Sequence, residues 1–324
     1  MIRRVLTKFL YGILVLWGVV SLVFFLFNIL PGDPARMLLG QRADLKTVEA
    51  VRQELGLDRP VALQYVRYLN DLSPLSLHNT ADPGNYFYFD RQKYTRSFQL
   101  IGLGNEHGLY LKAPYMGRSF QNRRNVTGMI ADVLPSTFLL AVVSILFALL
   151  LGTFAGIACA IKKDSVFDRL SLVLSAIGVS LPSFFTAILF AWLFAFVLAG
   201  QTGLNLTGNL YEVDDFGEGR VLQLKNLLLP ALTLGIRPLS VVLQLSRNAM
   251  LEVLGQDYIR TARAKGMNFT RIITRHALRN SLNPVVTAIS GWFASLMAGV
   301  VFVEYIFGWK GLGYLIVNAL NQYD

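Results

Sequence analysis

The chain has 324 residues, 54% of them hydrophobic and only 15% charged, against roughly 25% charged in an ordinary soluble domain. The apolar residues gather in uncharged runs of about 20 or more, which excludes a soluble enzyme and makes the membrane span the unit of reading. The formal charge of +10 is the kind that a bilayer-held chain carries as topology signals and headgroup contacts, so membrane lipid is an expected partner and nucleic acid is not.

The first run, Phe9 to Leu30, has 22 uncharged residues and follows Arg3, Arg4 and Lys8. It exceeds the apolar region of a signal peptide and runs into Pro31-Gly32-Asp33-Pro34 rather than a small-residue cleavage site, so it reads as a retained first span. Residues 1–30 are then a cytoplasmic N-terminus with span 1, residues 31–135 an extracytoplasmic segment, and residues 136–324 a membrane core. In the long segment, the apolar spacing from Ala43 to Leu72 predicts two short helices broken around Asp58-Arg59-Pro60. Further on, Tyr86 to Phe89 and Leu100 to Leu103 are expected as short strands of a small subdomain.

The second span is Ser136 to Ile161, introduced by Pro135 and closed by Lys162-Lys163. The third, Leu170 to Gly200, has 31 uncharged residues with Pro182 part-way, which suits a kinked or tilted helix. The fourth, about Asn226 to Leu245, carries Arg237. The fifth runs from Pro284 to Val303 and is closed by Glu304. Five spans are therefore visible. The short loop Lys162 to Arg169 has three Lys/Arg, and Ser246 to Asn283 has seven against Glu252 and Asp257. The loop from Gln201 to Lys225 instead carries Glu212, Asp214, Asp215 and Glu218 against Arg220 and Lys225. This asymmetry puts the N-terminus on the cytoplasmic side. The 13 Lys/Arg from Pro31 to Pro135 do not count against it, because long translocated segments escape the rule.

No P-loop, HExxH or GxSxG pattern occurs, and His78, His107 and His276 lack metal-ligand spacing, so no catalytic residue and no metal site is expected. The single Cys159 offers no internal disulfide.

The most informative stretch runs from Glu252 to Pro284. Gly266 supplies a left-handed residue to end one helix, Asn268 can cap the next, and Pro284 opens the fifth span. The result is a helical elbow over residues 246–283. Ile259, Ala262 and Gly266 share a narrow small-residue strip that would let a partner approach closely, with Arg260, Arg263 and Lys265 spread around it. An ordinary basic loop touching anionic lipid is the plain alternative. After the fifth span, Phe307 to Leu320 is too short to cross and reads as a re-entrant or interfacial helix, or as the lead-in to a further span. Arg237 would line a path for an anionic group such as a peptide carboxylate, or meet carbonyls freed near Pro238.

Tyr258-Ile-Arg-Thr-Ala-Arg-Ala-Lys-Gly266 with His276-Ala-Leu-Arg-Asn280 and Asn283-Pro284 resembles the cytoplasmic EAA loop of ABC importer permeases of the dipeptide/oligopeptide family. Leu30-Pro-Gly-Asp-Pro34, Leu134-Pro-Ser-Thr137 and Glu304-Tyr-Ile-Phe-Gly-Trp-Lys-Gly-Leu-Gly313 agree with it. The resemblance implies an all-α integral membrane protein with the type I (MetI-like) permease fold, in a bacterial or archaeal cytoplasmic membrane. Its partners would be a homologous second permease, two cytoplasmic ATPase subunits and an extracytoplasmic substrate-binding protein. ATP and Mg would sit on the ATPases, leaving this chain without a cofactor or an enzymatic activity of its own. Asp257, Tyr258, Arg260, Thr261, Ala262, Arg263, Ala264, Lys265, Gly266, Arg271 and His276 would form the ATPase-coupling loop. Arg237, Glu304, Trp309, Gly311 and Gly313 would line the translocation path or its gate. The resemblance also implies a sixth span, and the sequence reads as cut short before it. The stretch from Ser73 to Lys112 is longer than the corresponding region of the family, so the resemblance implies nothing about it, and the cargo, whether peptide, nickel chelate or another solute, would be set largely by the binding protein. A secondary transporter or channel would need carboxylates inside the spans, where Glu304 is the sole candidate, and no inverted repeat is visible.

Overall fold

Apolar runs that leave water must satisfy their backbone amides within the segment, and the α-helix does this. The computed structural model describes residues 2–29, 44–91, 93–94, 97–104, 106–119, 121–213, 219–322 and 324. The Leu30 to Pro34 motif and the acidic residues Asp214, Asp215 and Glu218 lie outside them. The chain divides into two units, residues 1–129 with 322–324, and residues 130–321.

The first unit opens with α1 (Ile2–Ile29), whose apolar side chains are almost all exposed. Helices α2 (Leu45–Leu55) and α3 (Val61–Leu72) follow, broken at Pro60 as the spacing predicts. Phe24 of α1 packs on Tyr65 and Tyr68 of α3, and Ser21 and Tyr65 share a 2.5 Å hydrogen bond. An antiparallel sheet comes next, built from β1 (Leu75–Asn79), β2 (Ser97–Leu103) and β3 (His107–Lys112) in the order β1-β3-β2. The all-α reading is corrected here, although the Leu100 to Leu103 strand lies within β2. Tyr86 to Phe89 makes a single parallel bridge, Tyr88 to Asn79 at the end of β1, rather than a full strand. The Asn85 carboxamide holds the Phe87 amide in a turn, and the Phe89 ring stacks on Tyr110 with centroids 3.9 Å apart. These aromatics make the small core of this unit together with Tyr94.

The second unit is built on two long helices. Helix α4 (Val126–Ile161) runs straight through Pro135, so the proline does not open the helix; one lost backbone bond is outweighed by the helical residues on both sides. Helix α5 (Val166–Ser180) starts at the Ser165 cap, whose hydroxyl accepts from the Asp168 amide. It stops at Leu181, which Pro182 forces into an extended conformation. Helix α6 (Ser183–Phe190) then leaves at 111° and continues as a π-helical turn, Ala191–Val197. The expected kinked span is therefore a sharp elbow between two helices. A short turn of helix, α7 (Ala199–Thr202), and the hairpin of β4 (Tyr211–Val213) and β5 (Arg220–Leu222) lead into α8 (Lys225–Leu254).

Helix α8 is the central post. A Cβ at Gly152 would come within 2.8 Å of the Leu239 carbonyl oxygen, and one at Gly156 within 2.5 Å of that of Leu243. Glycines four apart on α4 thus let the two backbones touch, the small-residue packing that holds helices together in lipid. The elbow consists of α9 (Asp257–Ala264), a turn at Phe269–Arg271, a π-helical turn at Ile272–Ala277 and a last turn at Leu278–Ser281. It leads to α10 (Asn283–Gly299), α11 (Val301–Ile306) and α12 (Leu312–Gln322). Among the described residues, α1, α4 and α8 are each long and apolar enough to cross a membrane, and the bent α5–α6 pair is a fourth candidate. The Pro284 to Val303 run is divided between α10 and α11.

His78 gives the first unit a pH dependence. It is 2% exposed, with Nδ1 3.3 Å from the Phe87 carbonyl oxygen and Nε2 3.1 Å from Ser76 Oγ. Burial pushes its pKa down to about 4; the Phe87 carbonyl and Asp71 oppose this, and Lys112 and Lys93 add to it. Between about 4 and the unfolded value near 6.5, the unfolded chain binds the proton and the folded one does not, so stability is complete above that window and falls as pH drops through it. Hydrogen exchange of the β1 and β3 amides, corrected for intrinsic rates, should lose protection from pH 6.5 towards 4, and His78→Asn should flatten that loss.

Candidate functional site

Three groups of residues in the second unit carry the chemistry. The first gathers around Glu304, which has no solvent exposure. Its Oε1 accepts from Thr137 Oγ1 at 2.7 Å, and its Oε2 accepts from the amides of Gly313 at 2.7 Å and Tyr314 at 3.3 Å. Thr137 Oγ1 in turn accepts from the Leu312 amide at 2.7 Å. The carboxyl group thus caps the first turn of α12, whose orphan amides it satisfies and whose dipole favours an acceptor there. Trp309, fully buried, donates Nε1–H to the Ser136 carbonyl at 3.3 Å, and the Lys310 amide donates to Asn209 Oδ1 at 2.7 Å. Gly308 turns the chain with φ 64°. A Cβ at Gly311 would overlap the Glu304 carboxyl group, and one at Gly313 would meet the backbone of Val301. The two sequence motifs Leu134 to Thr137 and Glu304 to Gly313 therefore fold into one knot. Glu304, Trp309, Gly311 and Gly313 come together in it, with the Glu304 and Trp309 side chains buried in protein. Thr137 is the partner that sequence reasoning did not single out; its signal was its motif's joint occurrence with the Glu304 motif.

The second group is the elbow. Helix α9 ends in two bonds, Gly266 N–H to the Arg263 carbonyl and Met267 N–H to that of Ala262, with Gly266 at φ 74°. This is the Schellman closure, and it requires the left-handed residue that glycine supplies. The Asn268 side chain then caps the next turn by accepting from the Thr270 amide. Ile259 and Ala262 are buried with Ala160, Met250, Ile272, Ile273 and Ala277. The predicted partner-facing strip is corrected on this point: its apolar members seat the elbow on the chain's own helices, because a helix this short and basic needs a hydrophobic anchor. Gly266 remains exposed, as do Asp257, Tyr258, Arg260, Thr261, Arg263, Ala264, Lys265 and Arg271, while His276 is half-buried. Asp257 pairs with Arg260 at 3.4 Å, and the Tyr258 hydroxyl accepts from Asn280 Nδ2 at 2.9 Å.

A clamp that the sequence did not announce lies close by. Arg247 of α8 makes a two-pronged pair with Asp168 of α5, Nε to Oδ1 at 2.6 Å and Nη2 to Oδ2 at 2.7 Å. Gln244 Nε2 to Ser175 Oγ at 2.9 Å continues the same α5–α8 seam.

Arg237 stands apart from these three groups. It is exposed on α8, with its guanidinium 5.9 Å from the centroid of Trp292 on α10. No metal-binding cluster of His, Cys, Asp or Glu occurs among the described residues.

The knot makes a test of packing. Gly311→Ala should lower stability by about 1–3 kcal/mol, because its methyl group has to displace a fully bonded carboxyl group. Gly200→Ala, whose Cβ meets nothing within 4 Å, should leave it within about 0.5 kcal/mol. Unfolding of the purified chain in mixed micelles measures both, and equal effects would contradict the packing described.

The family described as "Binding-protein-dependent transport system inner membrane component" matches residues 149–324, and its N-terminal counterpart matches residues 1–80. The dipeptide transport system permease protein DppB of Alkalihalophilus pseudofirmus is 30% identical over 337 residues, covering 100% of this chain and 90% of the relative. The glutathione transport system permease protein GsiC of Salmonella paratyphi A is 32% identical over 324 residues, covering 100% of this chain and 88% of the relative. The inward-facing methionine transporter MetNI aligns over 60% of this chain and 81% of its own, with TM-score 0.45 and 16% identity. With two parts of the family matched and relatives aligned along its whole length, this chain belongs to the inner-membrane components of binding-protein-dependent transport systems, the permeases of ABC importers.

Proposed function

We propose that this permease imports di- or oligopeptides, pairs with a homologous permease to enclose the path, and couples to two ATPase subunits through the elbow at residues 257–281. The N-terminus is cytoplasmic in this reading, five spans are formed, and an extracytoplasmic binding protein delivers the cargo. Relatives named for dipeptide, di/tripeptide and glutathione transport support the cargo class.

The observation that carries the coupling role is the construction of the elbow. Its apolar side is anchored by Ile259 and Ala262, so a push on α9 is delivered to α4 and α8 rather than absorbed locally. Its other side presents Arg260, Arg263, Lys265 and Arg271 to a partner. ATP binding by the partner ATPases, with their Mg, would close them and swing the spans between inward-open and outward-open states. Arg237 faces the cargo in this account, its guanidinium suited to a peptide carboxylate. The Glu304 knot, including Trp309, Gly311 and Gly313, fixes the gate segment at the end of the fifth span.

Gly266→Asp tests the coupling. A Cβ there meets nothing within 4 Å, so the change adds a charge at the exposed corner and a left-handed strain of about 1 kcal/mol, without a clash. The reconstituted importer should still assemble and keep basal ATPase activity, but lose most of its stimulation by loaded binding protein. Gly266→Asn, neutral and tolerant of that backbone, should retain it. Wild-type stimulation in Gly266→Asp would remove the elbow from the coupling path.

A further inference from the structure

Within the first unit, α2, α3, β1 and the turn at 83–88 line an open cavity of about 530 Å³. That is the size of a small-molecule site, about 300–1,000 Å³. The charged residues on its wall are Asp58, Arg59, Arg67, Asp71, Asp90 and Lys93. Five of the six are answered within the protein. Lys93 Nζ lies 2.8 Å from Asp71 Oδ2, Asp71 also takes the Tyr94 hydroxyl, Arg59 faces Asp58 at 3.6 Å, and Asp90 has a partner as well.

Arg67 differs from these. Its half-buried guanidinium lies over the Tyr86 ring, 4.3 Å from the centroid, and among the described residues it meets neither a carboxylate nor a hydrogen-bond acceptor. Stacking holds the plane of the guanidinium while leaving its N–H edges free for a two-pronged acceptor. The pair is built into the fold: a Cβ at Gly56 would stand 2.9 Å from Tyr86 and 3.3 Å from Arg67 Nη1, and Gly56 adopts φ 69° beneath them. The Tyr86 hydroxyl donates to the Gly56 carbonyl at 3.4 Å. The field of Arg67 also reaches the cavity floor. Burial lowers the Lys93 pKa, Asp71 opposes this, and Arg67 adds to the lowering.

We propose that this cavity binds a small carboxylate, the terminal group of a free amino acid or short peptide, through two-pronged pairing with Arg67. One unanswered cation suits one negative charge. The three wall carboxylates disfavour a more highly charged anion such as phosphate. The site lies in residues 53–94, which the proposed coupling and gate do not use, so it stands or falls independently of them.

The test titrates the full purified chain in lipid nanodiscs, without ATPases or binding protein, using L-alanyl-L-alanine, its C-terminal amide and inorganic phosphate. Saturable binding of the free dipeptide is expected, weakened at least about tenfold by amidation and by Arg67→Gln, as loss of a charge-assisted fork predicts. Arg67→Lys should fall between, and phosphate should bind at least about tenfold more weakly than the dipeptide. Absence of saturable binding, equal binding of peptide and amide, phosphate binding as tight as the dipeptide, or an unchanged Arg67→Gln variant would each overturn the proposal. Should Arg67→Gln lose its near-ultraviolet tyrosine spectrum, the peptide-against-amide comparison on the wild-type chain decides alone.

Discussion

A carboxyl group with no solvent exposure needs donors from the protein, and a helix that begins away from water needs acceptors for its first amides. Glu304 and the start of α12 answer each other's requirement. Thr137 sits between them, donating to Glu304 and accepting from Leu312 with the same hydroxyl. The three elements α4, α11 and α12 are thereby fixed at one point, and the tight turn at 307–311 can exist in an apolar setting without stranded backbone groups. Leaving any one of these donors unmet would cost about 1–3 kcal/mol, which is why the residues of the knot have to occur together.

From that point the architecture runs along α8. The helix contributes Leu227, Leu229 and Leu234 to the core that contains Trp309 and Phe307, and Met250 to the cluster that seats the elbow. At 1.5 Å per residue its 30 residues span about 45 Å, so one continuous helix joins the two regions. Glycine contacts with α4 and the Asp168–Arg247 clamp with α5 hold its sides. A proposed push at the elbow therefore has a continuous physical route to the gate segment, through packed backbone rather than loops.

Helices were legible in the sequence wherever a single local rule decided them. Long apolar runs located α1, α4 and α8, and the Gly266, Asn268 and Pro284 signals placed the elbow's turns where the backbone has them. What stayed hidden depended on partners distant in the chain. Ile259 and Ala262 looked like an open strip because nothing local reveals that Ala160 and Met250 cover them. Tyr86 to Phe89 has strand composition, yet the turn bonding of Asn85 and the stacking of Phe89 on Tyr110 override it. The alternation in His107 to Lys112 was available as a signal for β3, whereas the pairing of Asp168 with Arg247 across 79 positions was not. The crowding of Gly311 against Glu304 and of Gly313 against Val301 is a matter of space that no local rule shows.

The central claim is that Thr137 and Glu304 act as one unit, and a double-mutant cycle measures it directly. Thr137→Val, Glu304→Met and the double variant would be unfolded in mixed micelles beside the wild type. The knot predicts a coupling energy of at least about 1 kcal/mol, since the first substitution already breaks the bond that the second would remove. Single effects that add to within about 0.3 kcal/mol would show that the two side chains do not depend on each other, and would contradict the account.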